Sequence, residues 1–124
     1  MKKNLIHSYK ELVVWQKAMD LVVAIYELTK NYPSEEKFGL ISQMRRAAVS
    51  IPSNIAEGRK RKTYKDYGSF LIIAYTSGAE LETQIEISKR LSLGKDFDYS
   101  IVDGLLDEVM RMLNKMTNQP AIYG

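Results

Sequence analysis

The amino-acid sequence predicts an all-α fold, an up-down-up-down antiparallel four-helix bundle that occupies residues 1–124 as one domain. Four segments carry apolar residues at the three- and four-residue spacing of a helix, and none shows the sustained alternation of a strand. The loops between the segments are short, which makes successive helices antiparallel neighbours. A length of 124 residues, without repeats or low-complexity linkers, suits a single domain.

The first helix is predicted over residues 10–31. Ser8 and Glu11 have the spacing of a capping box at its start. Pro33 cannot continue a helix and therefore marks its end. The predicted core positions are Trp15, Ala18 or Met19, Val22, and Ile25 or Tyr26.

The second helix is predicted over residues 35–61, with Ser34 as its N-terminal cap. Pro52 interrupts it, because proline has no N–H to donate to the carbonyl of Ala48. The apolar phase nevertheless continues to Ile55, so we expect a kink at Pro52 rather than an end. The predicted core positions are Ile41, Met44, Ala48, Ile51 and Ile55.

The third and fourth helices are predicted over residues 64–92 and 98–117. Thr63 is a suitable cap for the third helix, and Gly94 is its predicted stop. The predicted core of the third helix is Tyr67, Phe70 or Leu71, Ala74, Ser77 or Gly78, Leu81, Ile85, Ser88 and Leu91. The predicted core of the fourth is Ile101, Leu105, Val109, Met112 and Met116.

The composition argues against an enzyme. The chain has no cysteine, and His7 is its single histidine, so we expect no metal site and no cofactor. Glu82 and Glu86 lie four residues apart and could hold a cation, but a solvated acidic stripe is the favoured interpretation. No apolar run approaches the ~20 residues of a membrane span, and no secretory signal opens the chain. We therefore expect a cytoplasmic protein with no membrane partner.

Positive charge is concentrated in the second helix. Residues 34–62 carry seven basic and three acidic side chains, whereas residues 94–124 carry three and five. On a helical wheel, the outward face of the second helix combines cations with the short hydroxyls of Ser50 and Ser53, which suits phosphate oxygens. The candidate nucleic-acid-binding residues are Arg46, Arg59, Lys60, Arg61 and Lys62. The alternative, an ordinary solubilising surface, is equally compatible with the pattern.

Several residues of the same region have a structural interpretation. If the second and third helices form a hairpin, Arg45 lies near Glu80, and an ion pair between them is predicted. Tyr64 and Tyr67 could stack on bases, but rings at the edge of the core are the favoured interpretation. The residues assigned a structural role are Arg45, Pro52, Asn54, Glu57 (as an i,i+4 partner of Arg61), Gly58 and Glu80.

Two helices are apolar over more than one face. The first carries surplus residues such as Val13 and Val23, and the third has a continuous apolar run over residues 71–75. Because a small bundle buries one side of each helix, the surplus predicts a homo-oligomer.

These residues also carry a resemblance to a known family. The motifs are Leu12-x-Val14-Trp15-Gln16-Lys17-Ala18, Gln43-x-Arg45-Arg46-Ala47-Ala48-x-Ser50-Ile51-Pro52-x-Asn54-Ile55-Ala56-Glu57-Gly58, Tyr67-x-x-Phe70-Leu71-x-Ile73-Ala74 and Ser77-x-x-Glu80-Leu81-Glu82-Thr83. Over roughly residues 10–117 the chain resembles the bacterial four-helix bundle proteins called 23S rRNA intervening-sequence proteins.

The resemblance implies a bundle fold and a ring-like homopentamer. That family is similar to the accessory variability protein of diversity-generating retroelements, which binds nucleic acid and a reverse transcriptase through a basic surface. No catalytic residue is implied. A net charge of +3 is modest for such a surface. The resulting hypothesis is an oligomeric bundle that binds the backbone of RNA or DNA, and the alternative is a protein-interaction or scaffold module without a nucleic-acid role.

Overall fold

The computed structural model describes residues 8–91, 93 and 97–118, and within them the chain is all-helical without a strand. The four helices are α1 (Val13–Thr29), α2 (Ser42–Arg59), α3 (Tyr64–Arg90) and α4 (Ser100–Thr117). The prediction of an all-helical fold with four helices is confirmed.

The first helix begins later than the capping pattern predicts. The Ser8 hydroxyl accepts from the backbone N–H of Lys10 at 3.1 Å, but the turn that it caps is a short 3-10 turn, Tyr9–Glu11. Leu12 then has extended geometry, with φ −71° and ψ 127°, and α1 starts only at Val13. The cap is therefore real, and the extended Leu12 separates it from the long helix.

The second helix also begins later than predicted. A 3-10 turn at Ser34–Glu36 is followed by a π-helical turn at Lys37–Ile41, and α2 starts at Ser42. Gly39 lies inside the π turn with non-helical geometry, φ −107° and ψ −107°. Glycine is the residue that most readily adopts such a conformation, because it has no Cβ. The helical spacing of the apolar side chains continues across this break and so conceals it.

The start of α3 follows its predicted cap, whereas Tyr99, the residue at the N-cap position of α4, makes no capping hydrogen bond with its side chain. The Thr63 hydroxyl accepts from the backbone N–H of Asp66 at 3.1 Å, which confirms the predicted cap. The Asp98 carboxylate accepts from the backbone N–H of Ser100 at 2.9 Å, just ahead of α4. The predicted stop at Gly94 lies outside the described residues.

The core follows the predicted phase in α2, and in α3 except at Leu91, which lies beyond the end of the helix and is 59% exposed; it departs from that phase in parts of α1 and α4. All five predicted core positions of α2 are buried. In α4, Val109 is buried as predicted, but the start of the predicted stripe is off by one residue, since Ile101 is 65% exposed and Val102 only 3%. In α1, Trp15 and Val22 are only partly buried. The buried apolar residues of these two helices are Val14, Ala18, Leu21, Ile25 and Leu28 in α1, and Val102, Leu106, Val109, Met110 and Leu113 in α4.

Each helix packs on two others, α1 and α3 each lying against α2 and α4. A close approach joins α2 to α3 at Gly58, where an added Cβ would lie 2.7 Å from Phe70 Cβ. Gly78 of α3 likewise leaves room for the Met110 side chain of α4. The outer face of α2, opposite its core positions, remains at the surface and carries the candidate site.

Candidate nucleic-acid interface

The outer face of α2 presents cations and hydroxyls, as its spacing predicts. Arg46, Ser53, Glu57 and Lys60 are all exposed, because the opposite side of the helix is fixed against the core by Met44 and the residues that follow it at helical spacing. An open groove of about 520 Å³ lies at the end of this face and is lined by Ser53, Ala56, Glu57, Lys60 and Arg61.

Arg59 differs from the surface position that the sequence predicts. The residue is only partly exposed, and its guanidinium carbon lies 5.7 Å from the centre of the Tyr67 ring. Burial raises the pKa of the Tyr67 phenol, while the charge of Arg59 and its hydrogen bond to Tyr67 oppose the rise. Arg59 therefore packs α2 on α3 rather than standing on the outer surface.

Arg59 is the first of four consecutive cations, the basic tetrad Arg59-Lys60-Arg61-Lys62, and the other three are exposed. Lys60 Nζ lies 5.4 Å from the centre of the Tyr9 ring, and the Arg61 guanidinium carbon lies 4.6 Å from that of Phe70. Arg61 also donates to Glu57 Oε1 at 2.8 Å, which confirms the predicted pair. Lys62 is exposed at the end of the segment. Aromatic rings thus hold two of the three surface cations in place.

Neither ring contact was predicted from the sequence. Arg61 precedes Thr63 by two residues and Phe70 follows it by seven, so hairpin register alone does not place them opposite each other. The position of Tyr9 depends on the extended geometry of Leu12, which the sequence did not indicate.

Arg45 does not reach Glu80, so the predicted ion pair was wrong. Its Nε donates instead to the Thr29 hydroxyl at 3.0 Å, and its guanidinium lies 4.4 Å from the centre of the Tyr26 ring. Arg45 therefore faces α1, while Glu80 lines a groove between α2 and α3 beside Arg46. The predicted ion pair rested only on the register of the α2–α3 hairpin. The partner of Arg45 depends instead on the direction in which its side chain leaves α2, which is towards α1. Arg45 is partly buried, and Arg46 is exposed.

A chain of hydrogen bonds links α2 to α3 at the middle of the hairpin. The Ser77 hydroxyl donates to the Ile73 carbonyl at 3.0 Å, so in its 2.8 Å contact with the Ser50 hydroxyl it accepts. Asn54 Nδ2 in turn donates to Ser50 Oγ at 3.0 Å and to the Ser50 carbonyl at 2.8 Å. Ser50 and Asn54 thus serve helix packing around the buried Pro52, and the hydroxyl of Ser50 is committed to α3.

Tyr64 and Tyr67, which follow the tetrad, pack their rings in or against the core, as the favoured interpretation predicts. Tyr67 is 1% exposed, and its ring belongs to the core. Tyr64 is partly buried and packs at the edge of that core. The buried ring of Tyr67 offers no face on which a base could stack.

Large apolar side chains remain at the surface. Val13 and Val23 of α1 are 55% and 60% exposed, and Ile72 and Ile73 of α3 are 57% and 46% exposed. The surplus predicted from the sequence is therefore unburied in the single chain.

Within the described ranges, no group of three or more His, Asp or Glu side chains could hold a metal ion. Among the helices of these same ranges, none combines the length and apolar character needed to cross a membrane.

A family model described as 23S rRNA-intervening sequence protein matches residues 10–115. The fold is similar to that of a protein of unknown function from the S23 ribosomal protein family of Bacteroides thetaiotaomicron VPI-5482, known from a crystal structure. The TM-score is 0.73 at 24% sequence identity, over 86% of this chain and 100% of that one. No curated protein matches the chain.

Proposed function

The chain belongs to the 23S rRNA-intervening sequence protein family, and we propose that it is a non-catalytic, cytoplasmic homo-oligomer that binds the backbone of RNA or DNA through α2. The observation that carries the proposal is the set of exposed cations on and just after this helix: Arg46 on its outer face, and Lys60, Arg61 and Lys62 in the turn that follows Arg59. Side-chain cations that contact phosphate oxygens give affinity without reading sequence, because they do not reach the edges of the bases.

The positions of the three cations at the end of α2 favour phosphate contacts. Aromatic rings lie beneath Lys60 and Arg61, which limits the rotamer freedom that binding would otherwise remove. Glu57 neutralises part of this charge through Arg61. We therefore expect modest, strongly salt-dependent affinity rather than tight binding.

The helices are taken to run alternately up and down, with α2 kinked at Pro52. The order of cross-helix contacts supports the first point, since Thr29 at the end of α1 accepts from Arg45 near the start of α2, at 3.0 Å. Lys89 near the end of α3 pairs with Asp103 near the start of α4, at 2.7 Å. The missing N–H of Pro52 supports the kink.

Self-association is proposed through the outer face of α3. The residues on this face carry no charge over five positions at helical spacing, Ile72, Thr76, Ala79, Thr83 and Ile87. The hydroxyls of Thr76 and Thr83 donate to carbonyls of their own helix, at 3.0 and 3.1 Å, so the face presents mainly methyl groups. Such a face suits burial against a second copy. A pentamer, and the relation to the retroelement accessory protein, rest on the resemblance alone.

A protein-interaction or scaffold module without nucleic-acid binding is the second candidate. The specific observation in its favour is the same uncharged face of α3, which a different protein could cover. The charges separate the two candidates. A scaffold module needs none of the α2 cations, whereas nucleic-acid binding depends on them.

The experiment is fluorescence anisotropy with labelled mixed-sequence RNA and DNA at low and moderate salt. We expect binding at low salt that weakens steeply with added salt, and that weakens again when Lys60, Arg61 and Lys62 are changed to glutamine. A matched control changes Lys30, Arg111 and Lys115 to glutamine, which removes the same charge from α1 and α4. Absence of binding to both nucleic acids at low salt would contradict the proposal.

A further inference from the structure

A second basic feature lies in the groove between α1 and α2, near the start of α2, whereas the tetrad lies at its end. The groove has a volume of about 660 Å³. Tyr26 of α1 forms one wall, and the other wall comes from α2 and the turn before it. The residues of that second wall are Ile41, Ser42, Arg45, Arg46, Val49 and Ser50.

Arg45 is held in position before any ligand arrives. The Thr29 hydroxyl donates to the Ile25 carbonyl at 2.7 Å, which directs its lone pairs towards Arg45 Nε at 3.0 Å. The Tyr26 ring lies 4.4 Å from the guanidinium carbon. Two contacts on α1 therefore orient a planar group whose terminal nitrogens make no hydrogen bond to another described residue.

The two arginines of the groove lack the acidic partner, one turn away on the same helix, that the other surface arginines have. Arg61, Arg90 and Arg111 each pair with a carboxylate four residues earlier, at 2.8 to 3.0 Å. At the corresponding positions around Arg45 and Arg46, the chain has Ile41, Ser42, Gln43, Ala48, Val49 and Ser50. Among the described residues, no carboxylate lies within ion-pair distance of either guanidinium. Glu80 lines the neighbouring groove beside Arg46, but it makes no ion pair with Arg46, and no carboxylate of the described part of the chain lines the groove between α1 and α2. Two adjacent positive charges thus share this apolar groove without an ion-pair partner among those residues.

This combination matches the chemistry of a nucleotide. A guanidinium recognises phosphate with a planar set of N–H donors, and the Ser42 hydroxyl adds a further donor. The apolar wall of Tyr26, Ile41 and Val49 suits the uncharged sugar and base of a nucleotide. A phosphate ion alone would make no use of this wall.

We propose that the groove holds one nucleotide, with its phosphate on Arg45 and Arg46 and its uncharged part against Tyr26 and Val49. This assignment rests on the proposed nucleic-acid binding and adds a second contact point to it. Arg46 and Lys60 are separated by fourteen positions of α2, or about 21 Å at ~1.5 Å per residue. A stacked strand advances about 3.4 Å per nucleotide, so a segment of about seven nucleotides would reach both points.

The test uses the full chain and labelled single-stranded oligothymidylates of four and twelve nucleotides. We expect the twelve-mer to bind at least about tenfold more tightly than the four-mer, because only the longer strand reaches both contact points. Arg45→Gln and Tyr26→Leu should each weaken twelve-mer binding about three- to tenfold, with the salt slope reduced by about 0.7 only for Arg45→Gln. Arg111→Gln is the control for loss of one arginine charge. Helicity by circular dichroism confirms that each variant is folded.

The outcomes separate this inference from the proposed function. If changing Lys60, Arg61 and Lys62 to glutamine weakens binding while Arg45→Gln and Tyr26→Leu behave like the control, the groove is not a nucleotide site and the proposed function stands. If wild-type protein binds neither oligonucleotide, both fail.

Titration with adenosine monophosphate, followed by NMR, distinguishes the source of the nucleotide. Shifts confined to Tyr26, Arg45 and Val49 and absent in Arg45→Gln would support a site that also accepts a free nucleotide, and saturation of Arg45→Gln equal to wild type would overturn the assignment.

Discussion

Single residues decide how closely the helices approach one another, and Gly58 is the clearest case. An added Cβ at this position would lie 2.7 Å from Phe70 Cβ and 3.2 Å from the Tyr67 carbonyl. Backbone and Cβ atoms cannot move away as a flexible side-chain end can. We therefore expect Gly58→Ala to lower the free energy of unfolding by about 1–3 kcal/mol, measured by urea denaturation.

The matched control for this change is Gly104→Ala in α4. An added Cβ there meets nothing within 4 Å, and alanine is the better helix former. The free energy of unfolding should rise by about 0.5–1 kcal/mol. If Gly58→Ala were as well tolerated as Gly104→Ala, the described contact between α2 and α3 would be wrong.

Tyr32 provides a prediction about pH. Burial raises the pKa of its phenol above the usual value, and its hydroxyl lies 3.1 Å from that of Tyr99. Because the folded-state pKa exceeds the unfolded value of about 10, the stabilisation is complete below about pH 10 and is lost as the pH rises towards the folded-state pKa.

The measurement is the free energy of unfolding of wild type and Tyr32→Phe between pH 7 and pH 11. The wild type should lose more stability than the variant above about pH 10, since only its unfolded state releases this phenolic proton. Equal losses in the two proteins would mean that the Tyr32 phenol ionises as readily in the folded state as in the unfolded one.

At the residue scale, the sequence predicted interactions within one helix better than interactions between helices. The Glu57–Arg61 pair and the Thr63 cap depend only on local spacing, and both are confirmed. The partner of Arg45 depends on its angle on α2 and on the position of α1. Neighbouring residues of a helix point in directions about 100° apart, so Arg45 contacts Thr29 of α1 while Arg46 lies beside Glu80 of α3. Spacing within the sequence could not decide between these two partners for Arg45.

At the scale of elements, the α2–α3 hairpin is joined by a defined hydrogen bond between Ser50 and Ser77. A double-mutant cycle with Ser50→Ala and Ser77→Ala should show a coupling free energy of about 0.5–1.5 kcal/mol in urea denaturation. Ser69→Ala is the control partner, because its hydroxyl donates to the Lys65 carbonyl of its own helix. Additive effects for the Ser50–Ser77 pair would show that the bond contributes nothing to packing.

The helical elements themselves were largely predictable, and their starts were not. Apolar spacing identified four helices, but Leu12 and Gly39 interrupt the backbone without disturbing the spacing of the side chains. In α4 the predicted stripe began at Ile101, whereas burial follows Val102. The two stripes are adjacent on one amphipathic helix, and only the packing of α4 on α1 and α3 distinguishes them.

At the scale of the whole molecule, the uncharged face of α3 predicts self-association. We expect wild-type protein to sediment as an oligomer at micromolar concentration, and Ile72→Glu to sediment as a monomer with unchanged helicity. Ile101→Glu is the control, since Ile101 is equally exposed on α4. A monomeric wild type under these conditions would contradict the proposal.

The location of the candidate site was predictable from charge and spacing. The inward position of Arg59 and the separate groove at Arg45 were not. The sequence singled out Arg46 and the tetrad as one surface, and exposure on α2 agrees with this for all but Arg59. The inward turn of Arg59 depends on the buried ring of Tyr67, and the groove at Arg45 depends on Tyr26. Both rings belong to other helices, so a pattern read along α2 alone could not reveal them.

The most direct test of the central claim is the salt dependence of duplex binding by wild type and by the variant with Lys60, Arg61 and Lys62 changed to glutamine. The logarithm of the wild-type binding constant should fall linearly with the logarithm of the salt concentration. The slope of the variant should be shallower by about 0.9 for each phosphate that its glutamines no longer neutralise. Equal slopes in the two proteins, with the variant folded, would show that the α2 cations do not contact the nucleic-acid backbone.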